Sequence, residues 1–188
     1  MFGSSKSSSP TSLVKKIDQG ATWIGVILCL ALLVLAGAGW AGKSAKRLSV
    51  GKPAPAFALS GLSSHDTLAL EALKGKIVFV DFWASWCLPC RQLMPRIAEL
   101  KARYPEVEVV AVSVDANREK AITFLRAVEP SLRAVHDPDH KVADSYGVER
   151  MPSSFLIDRD GRLRYRHDGY GEADLETIER RIRVLLEE

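Results

Sequence analysis

The chain has 188 residues, 47% of them apolar, and a formal charge of +3 at neutral pH, a composition that fits a globular protein with a real core plus an appendage. Three cysteines are too few for a disulfide scaffold. Residues 1–50 carry six Lys or Arg against one Asp, which leaves −2 for the remainder, so the basic face of a nucleic-acid binder is excluded.

Residues 1–20 begin with a Ser- and Gly-crowded stretch and read as a disordered tail. Ala21 to Trp40 holds no charged residue, and as a helix it would extend roughly 30 Å, the hydrocarbon thickness of a bilayer. Trp23 and Trp40 stand where interfacial anchors belong. The expectation is an N-terminal transmembrane helix over 21–40, with cleavage after Ala36-Gly37-Ala38 as its alternative. Cys29 lies inside this run behind bulky Ile27 and Leu28, which argues against lipoprotein processing. Lys and Arg flank both ends of the run, so charge leaves the orientation open. An N-terminal anchor followed by a soluble domain, together with a dithiol, places the expected domain on the periplasmic or extracellular side of the cytoplasmic membrane.

Residues 41–52 read as a Gly, Ser and Lys linker, and a domain over 53–188 opens with Pro53 and Pro55 in extended form. Alternating apolar residues from Phe57 to Leu70 around Gly61-Leu62-Ser63-Ser64 predict a hairpin, followed by one helical turn over 71–75. Ile77-Val78-Phe79-Val80-Asp81-Phe82 predicts a central strand covered on both faces. A helix starts at the cysteines and runs to Tyr104, with Pro95 as a kink. A buried strand over 107–114, a helix over 118–128, a strand over 132–135 and a helical piece over 140–146 follow. Ser154–Asp158 and Leu163–His167 form a hairpin on an Asp-Gly turn, and an amphipathic helix over 174–186 closes the chain. The pattern is α/β with a mixed sheet.

The chemistry centres on Cys87-Leu88-Pro89-Cys90. Two thiols at this spacing can close a small disulfide, and a cysteine on the first turn of a helix is favoured as thiolate by the free N–H groups and the positive end of the helix dipole. The spacing also supplies half of a zinc site, but there is no second cysteine pair, and His65, His136, His140 and His167 are scattered, so no metal or cofactor is expected. Asp81, an acid inside an apolar strand, is expected to be partly protonated and able to exchange a proton.

Strand, then Asp81-Phe82-Trp83-Ala84-Ser85-Trp86-Cys87-Leu88-Pro89-Cys90-Arg91, then helix, and later Met151-Pro152-Ser153-Ser154, resembles the thioredoxin superfamily. More narrowly it resembles the membrane-anchored TlpA-like and ResA-like thiol–disulfide oxidoreductases, over about residues 50–188. The resemblance implies a thioredoxin-like fold, with an exposed attacking Cys87 and a buried resolving Cys90. It also implies a cis Met151-Pro152 loop beside the disulfide, at which the Met151 backbone meets an extended substrate. Trp86, Leu88 and Pro89 would complete the docking surface. The related proteins carry a Glu on the active-site helix where this chain has Leu93, which moves the proton-handling role to Asp81.

The implied activity is reduction of disulfides in extracytoplasmic proteins such as apocytochrome c, with a membrane protein as electron donor. Two alternatives stand beside it. A peroxiredoxin-like peroxidase would need a Pro and a Thr or Ser before its cysteine, and 82–86 has no Pro. A copper-binding assembly factor would hold Cu(I) on Cys87 and Cys90 with His136 or His140.

Overall fold

Strands and helices alternate along the computed structural model, which describes residues 48–64 and 66–188. The expected tail, the transmembrane helix over 21–40 and the linker up to residue 47 lie outside the described residues, as does His65. Among the described residues no helix is long and apolar enough to cross a membrane.

The expected first hairpin is present. β1 (Ala58–Ser60) and β2 (Thr67–Ala69) pair antiparallel. A 3₁₀ turn (Leu70–Leu73) follows, and Gly75 takes φ +83°, a conformation that glycine adopts without the Cβ penalty. The five-stranded sheet has β3 (Ile77–Trp83) at its centre, parallel to β4 (Val107–Ser113) and antiparallel to β6 (Ser153–Ile157). β5 (Ala134–His136) lies parallel beyond β4, and β7 (Leu163–Asp168) lies antiparallel beyond β6. Every residue of β3 is buried, as its unbroken apolar run requires.

Four α-helices complete the domain: α1 (Leu88–Arg103), α2 (Arg118–Val128), α3 (Lys141–Ser145) and α4 (Glu172–Glu187). α1 runs through Pro95. α2 begins where Asn117 Oδ1 accepts the Lys120 N–H at 3.0 Å, a side-chain cap. Two of the shifts from the expected boundaries have local reasons. The strand predicted at 132–135 starts two residues later, at Ala134, because Glu129 Oε1 accepts both the N–H and the hydroxyl of Ser131 and holds a turn there. His140 adopts φ +59° and cannot begin α3, whose first N–H groups at Val142 and Ala143 are taken by Asp137 Oδ2 instead. The Asp-Gly hairpin forms as predicted: Asp158 Oδ1 accepts the N–H groups of Asp160 and Arg162, and Gly161 takes φ +77°.

Because side chains alternate along a strand, the two faces of the sheet have different contents. Phe82 and Phe155 meet edge to face at 5.6 Å between centroids, and Tyr146 packs on both at 5.4 and 5.0 Å, forming an aromatic cluster on one face. Its hydroxyl leaves the cluster to donate to the Pro55 carbonyl at 2.9 Å. Residues 79, 81 and 83 of β3 point to the opposite face. There Trp83 stacks on Phe124 of α2 at 5.3 Å, and the Arg91 guanidinium of α1 lies over the same ring. α4 joins this layer through an ion pair between Arg103 and Glu179. The site therefore sits where the C-terminal end of β3 passes into the layer built by α1, α2 and α4.

Candidate active site

Cys87 and Cys90 are joined by a disulfide with a Cα separation of 5.3 Å. Cys87 is the N-cap of α1, and its Sγ accepts the Cys90 N–H at 3.2 Å. The sulfur thus takes one of the N–H groups that a helix start leaves without a partner, and the electrostatic environment that favours a thiolate is in place. Pro89 falls in the first turn, where its missing N–H costs nothing, and that turn holds no acidic residue to oppose a negative sulfur.

One expectation is corrected. Cys87 is not exposed in the disulfide form: it is 3% accessible, against 0% for Cys90. Bonding to Cys90 and capping the helix turn the sulfur inward. The exposed groups are its neighbours, Trp86 at 70% and Leu88 at 68%, with Pro89 also at the surface. Two large apolar side chains left in water on either side of a buried disulfide form a surface suited to an apolar partner.

The loop before Cys87 is held by a residue that the sequence reading passed over. Asp115, two residues beyond the end of β4 and buried, accepts the Ser85 N–H at 2.8 Å and the Ser85 hydroxyl at 2.6 Å on its two oxygens. The Ser113 hydroxyl adds a bond at 3.1 Å. The signal available was only an acid directly after a buried apolar strand, a pattern shared by many strand ends.

Met151–Pro152 is cis, as the resemblance implied. Ser153 pairs with Phe82 at the start of β6, which places Pro152, buried, and Met151, half-buried, at the same end of the sheet as the cysteine loop. Gly169 N–H donates to the Pro152 carbonyl at 2.8 Å, and the Ser153 hydroxyl bonds the Arg150 carbonyl, which fixes the loop.

Asp81 is fully buried, and its Oδ1 accepts the Ser154 hydroxyl at 2.7 Å. Oδ2 has no hydrogen-bond partner. Burial in apolar surroundings pushes the carboxyl up to about 7, against a smaller downward pull from Ser154. Leu93, at the position of the related Glu, is buried. Of the two histidines considered for copper, His136 has its Nε2 2.7 Å from the Asp115 carbonyl, and His140 precedes α3. Among the described residues no group of three or more His, Cys, Asp or Glu side chains is arranged to hold a metal ion.

Residues 50–166 match the AhpC/TSA family. The thiol-disulfide oxidoreductase ResA of Bacillus thuringiensis (strain Al Hakam) is 36% identical over 120 residues, covering 63% of this chain and 69% of that protein. The thiol:disulfide interchange protein DsbE of Allochromatium vinosum is 32% identical over 148 residues, covering 78% and 81%. The crystal structure of a Chlorobium tepidum protein described as a thiol:disulfide interchange protein DsbE superposes with a TM-score of 0.70 at 40% identity, covering 74% of this chain and 99% of that one. With the redox couple at the start of a helix in a thioredoxin-like fold, the chain belongs to the AhpC/TSA family and is a thiol–disulfide oxidoreductase.

Proposed function

We propose that this enzyme is held in the cytoplasmic membrane by residues 21–40 and reduces disulfides of extracytoplasmic proteins, an apocytochrome c being one candidate, with electrons from a membrane protein. The observation that carries the chemistry is Cys87 Sγ at the N-cap of α1, accepting the Cys90 N–H. The uncharged 21–40 run supports the anchor.

In the reduced enzyme the Cys87 thiolate attacks one sulfur of the substrate disulfide. A mixed disulfide forms, and the other substrate sulfur leaves as thiolate and takes a proton from solvent. Cys90 then gives its proton to Asp81, and its sulfur attacks Cys87 Sγ. The Cys87–substrate bond breaks, the second substrate thiolate departs, and the enzyme disulfide seen in the structure closes. Two electrons pass from the enzyme dithiol to the substrate. Asp81 suits the base role because it shares the sheet face of Trp83, on which α1 and α2 pack, has one oxygen without a hydrogen-bond partner, and is raised by burial to about 7.

Cys90→Ser in the full chain should accumulate a mixed disulfide that a reductant dissolves, and the trapped protein should be extracytoplasmic. Membrane fractionation should recover the full chain with the bilayer and release it on deletion of 21–40. Capture of cytoplasmic partners alone, or a chain soluble with 21–40 intact, would contradict the assignment.

A further inference from the structure

The strand register sets up an unusual row of side chains beside the redox couple. Asp81 on β3 is opposite Ser154 on β6, and Ser154 is opposite His167 on β7, so the three share one sheet face in consecutive strands. Side chains directly opposite in such pairs stand about 5 Å apart at Cβ. The neighbouring row on this face, Val109, Phe79, Leu156 and Tyr165, is largely apolar. Accessibility rises outward along the polar row: Asp81 0% and Ser154 1%, then His167 19% and Asp174 35% for their side chains. Asp174 lies in the first turn of α4, with its Oδ2 3.0 Å from His167 Nε2. A buried serine and a largely covered histidine are costly where leucine or valine would pack, so packing alone does not explain the row.

We propose that Ser154 and His167 form the proton route between Asp81 and solvent, which lets the Asp81 carboxyl be recharged for each turnover while β3 stays dry. The inference rests on the reading of Asp81 as the base for Cys90. After the carboxyl takes the Cys90 proton, the Ser154 hydroxyl turns from Asp81 Oδ1 toward His167, accepts the carboxyl proton on Oγ and gives its own to the imidazole. The imidazolium then passes it to the Asp174 carboxylate, 3.0 Å from His167 Nε2, and the more exposed Asp174 releases it to solvent. Every atom along the row is restored once the Ser154 hydroxyl turns back, and one proton has moved from thiol to water. The titratable and charged groups facing the row are few. Asp81 meets Ala111 on β4, Ser154 on β6 and the α1 layer that holds Cys90, Leu93 and Met94. His167 meets Asp174 on α4 and stacks on Tyr165, whose ring lies beneath Arg181 with Arg180 close by.

The test is resolution of the Cys87 mixed disulfide by the full chain in detergent, followed over repeated turnovers with a disulfide-linked peptide as probe, an excess of a small dithiol reductant and dilute non-transferring buffer. His167→Ala should slow resolution about tenfold. Added imidazole should restore the rate in proportion to its concentration and leave the wild type unchanged. His167→Gln keeps a polar contact to Asp174 but carries no titratable proton, so it should be as slow as His167→Ala. Ser154→Ala should be slow and Ser154→Thr near normal. The proposal is overturned by either histidine variant resolving at the wild-type rate, or by imidazole speeding wild type and variant alike. Asp81→Asn separates the two readings. If it is slow and imidazole does not help while His167→Ala is normal, only the route fails. If Asp81→Asn itself is fast, the base assignment fails first.

Discussion

The Ser154 hydroxyl donates to Asp81 Oδ1 at 2.7 Å across β3 and β6, and leaves Asp81 Oδ2 without a hydrogen-bond partner. A carboxyl so placed keeps its proton to about pH 7 when folded but titrates near 4 when unfolded. The folded state therefore binds more protons in that window. Stability is fully present below about pH 4 and falls as pH rises through 7, by roughly 4 kcal/mol. Asp81→Asn removes the titration. In oxidised protein, its stability relative to wild type should grow by about that amount between pH 4 and 8, measured by urea unfolding. A pH-independent difference would show that the carboxyl is not the group responsible.

Trp86 is 70% exposed next to a disulfide that is itself buried. Trp86→Ala should leave unfolding stability within about 0.5 kcal/mol of wild type. It should raise KM for a protein disulfide by about tenfold, because large aromatic anchors dominate docking energies. A small aromatic disulfide reagent, which needs no docking surface, should be reduced at an unchanged rate. Equal losses on both substrates would assign Trp86 to the chemistry instead.

Asp115 is the acceptor for three donors, two of them on Ser85. Asp115→Ala leaves buried donors unmatched and should cost about 2–4 kcal/mol in thermal unfolding. Ser85→Ala removes one donor and leaves the backbone bond, so it should cost about 1 kcal/mol. If the two variants are equally stable, the carboxylate is not the tie that holds this loop.

Cys87→Ser should bring disulfide reductase activity to the uncatalysed background, since the thiolate is the attacking group. Cys90→Ser should retain the first half-reaction, seen as one stoichiometric burst of released substrate thiol, and then stop. A Cys87→Ser enzyme with a normal rate would reverse the order of the two sulfurs.

Much of the fold was legible because it follows from local pattern. The β-branched run at 77–82 forms the central strand, and α2 spans the 118–128 stretch expected to be helical. The cysteine pair was legible for the same reason, since strand, loop, cysteine and helix are adjacent in the chain. Burial of Cys87 was not, because it depends on how capping turns one side chain. The Asp115 tie joins residues 30 positions apart, and the Asp81–Ser154 bond joins residues 73 apart. Only the strand register, fixed by pairing between distant segments, brings these together and turns His167 from one scattered histidine into a neighbour of Ser154.

α4 also has a part that its position at the end of the chain disguises. It packs against β3, contributes Asp174 beside His167 and engages the far end of α1 through Glu179 and Arg103. The last sixteen-residue helix is thus part of the cover on β3. A chain cut before Glu172 would keep both cysteines and every strand, yet lose the carboxylate beside His167 and the clamp on the far end of α1. The redox couple would remain, without the helix that ties the last strand to the helix carrying it.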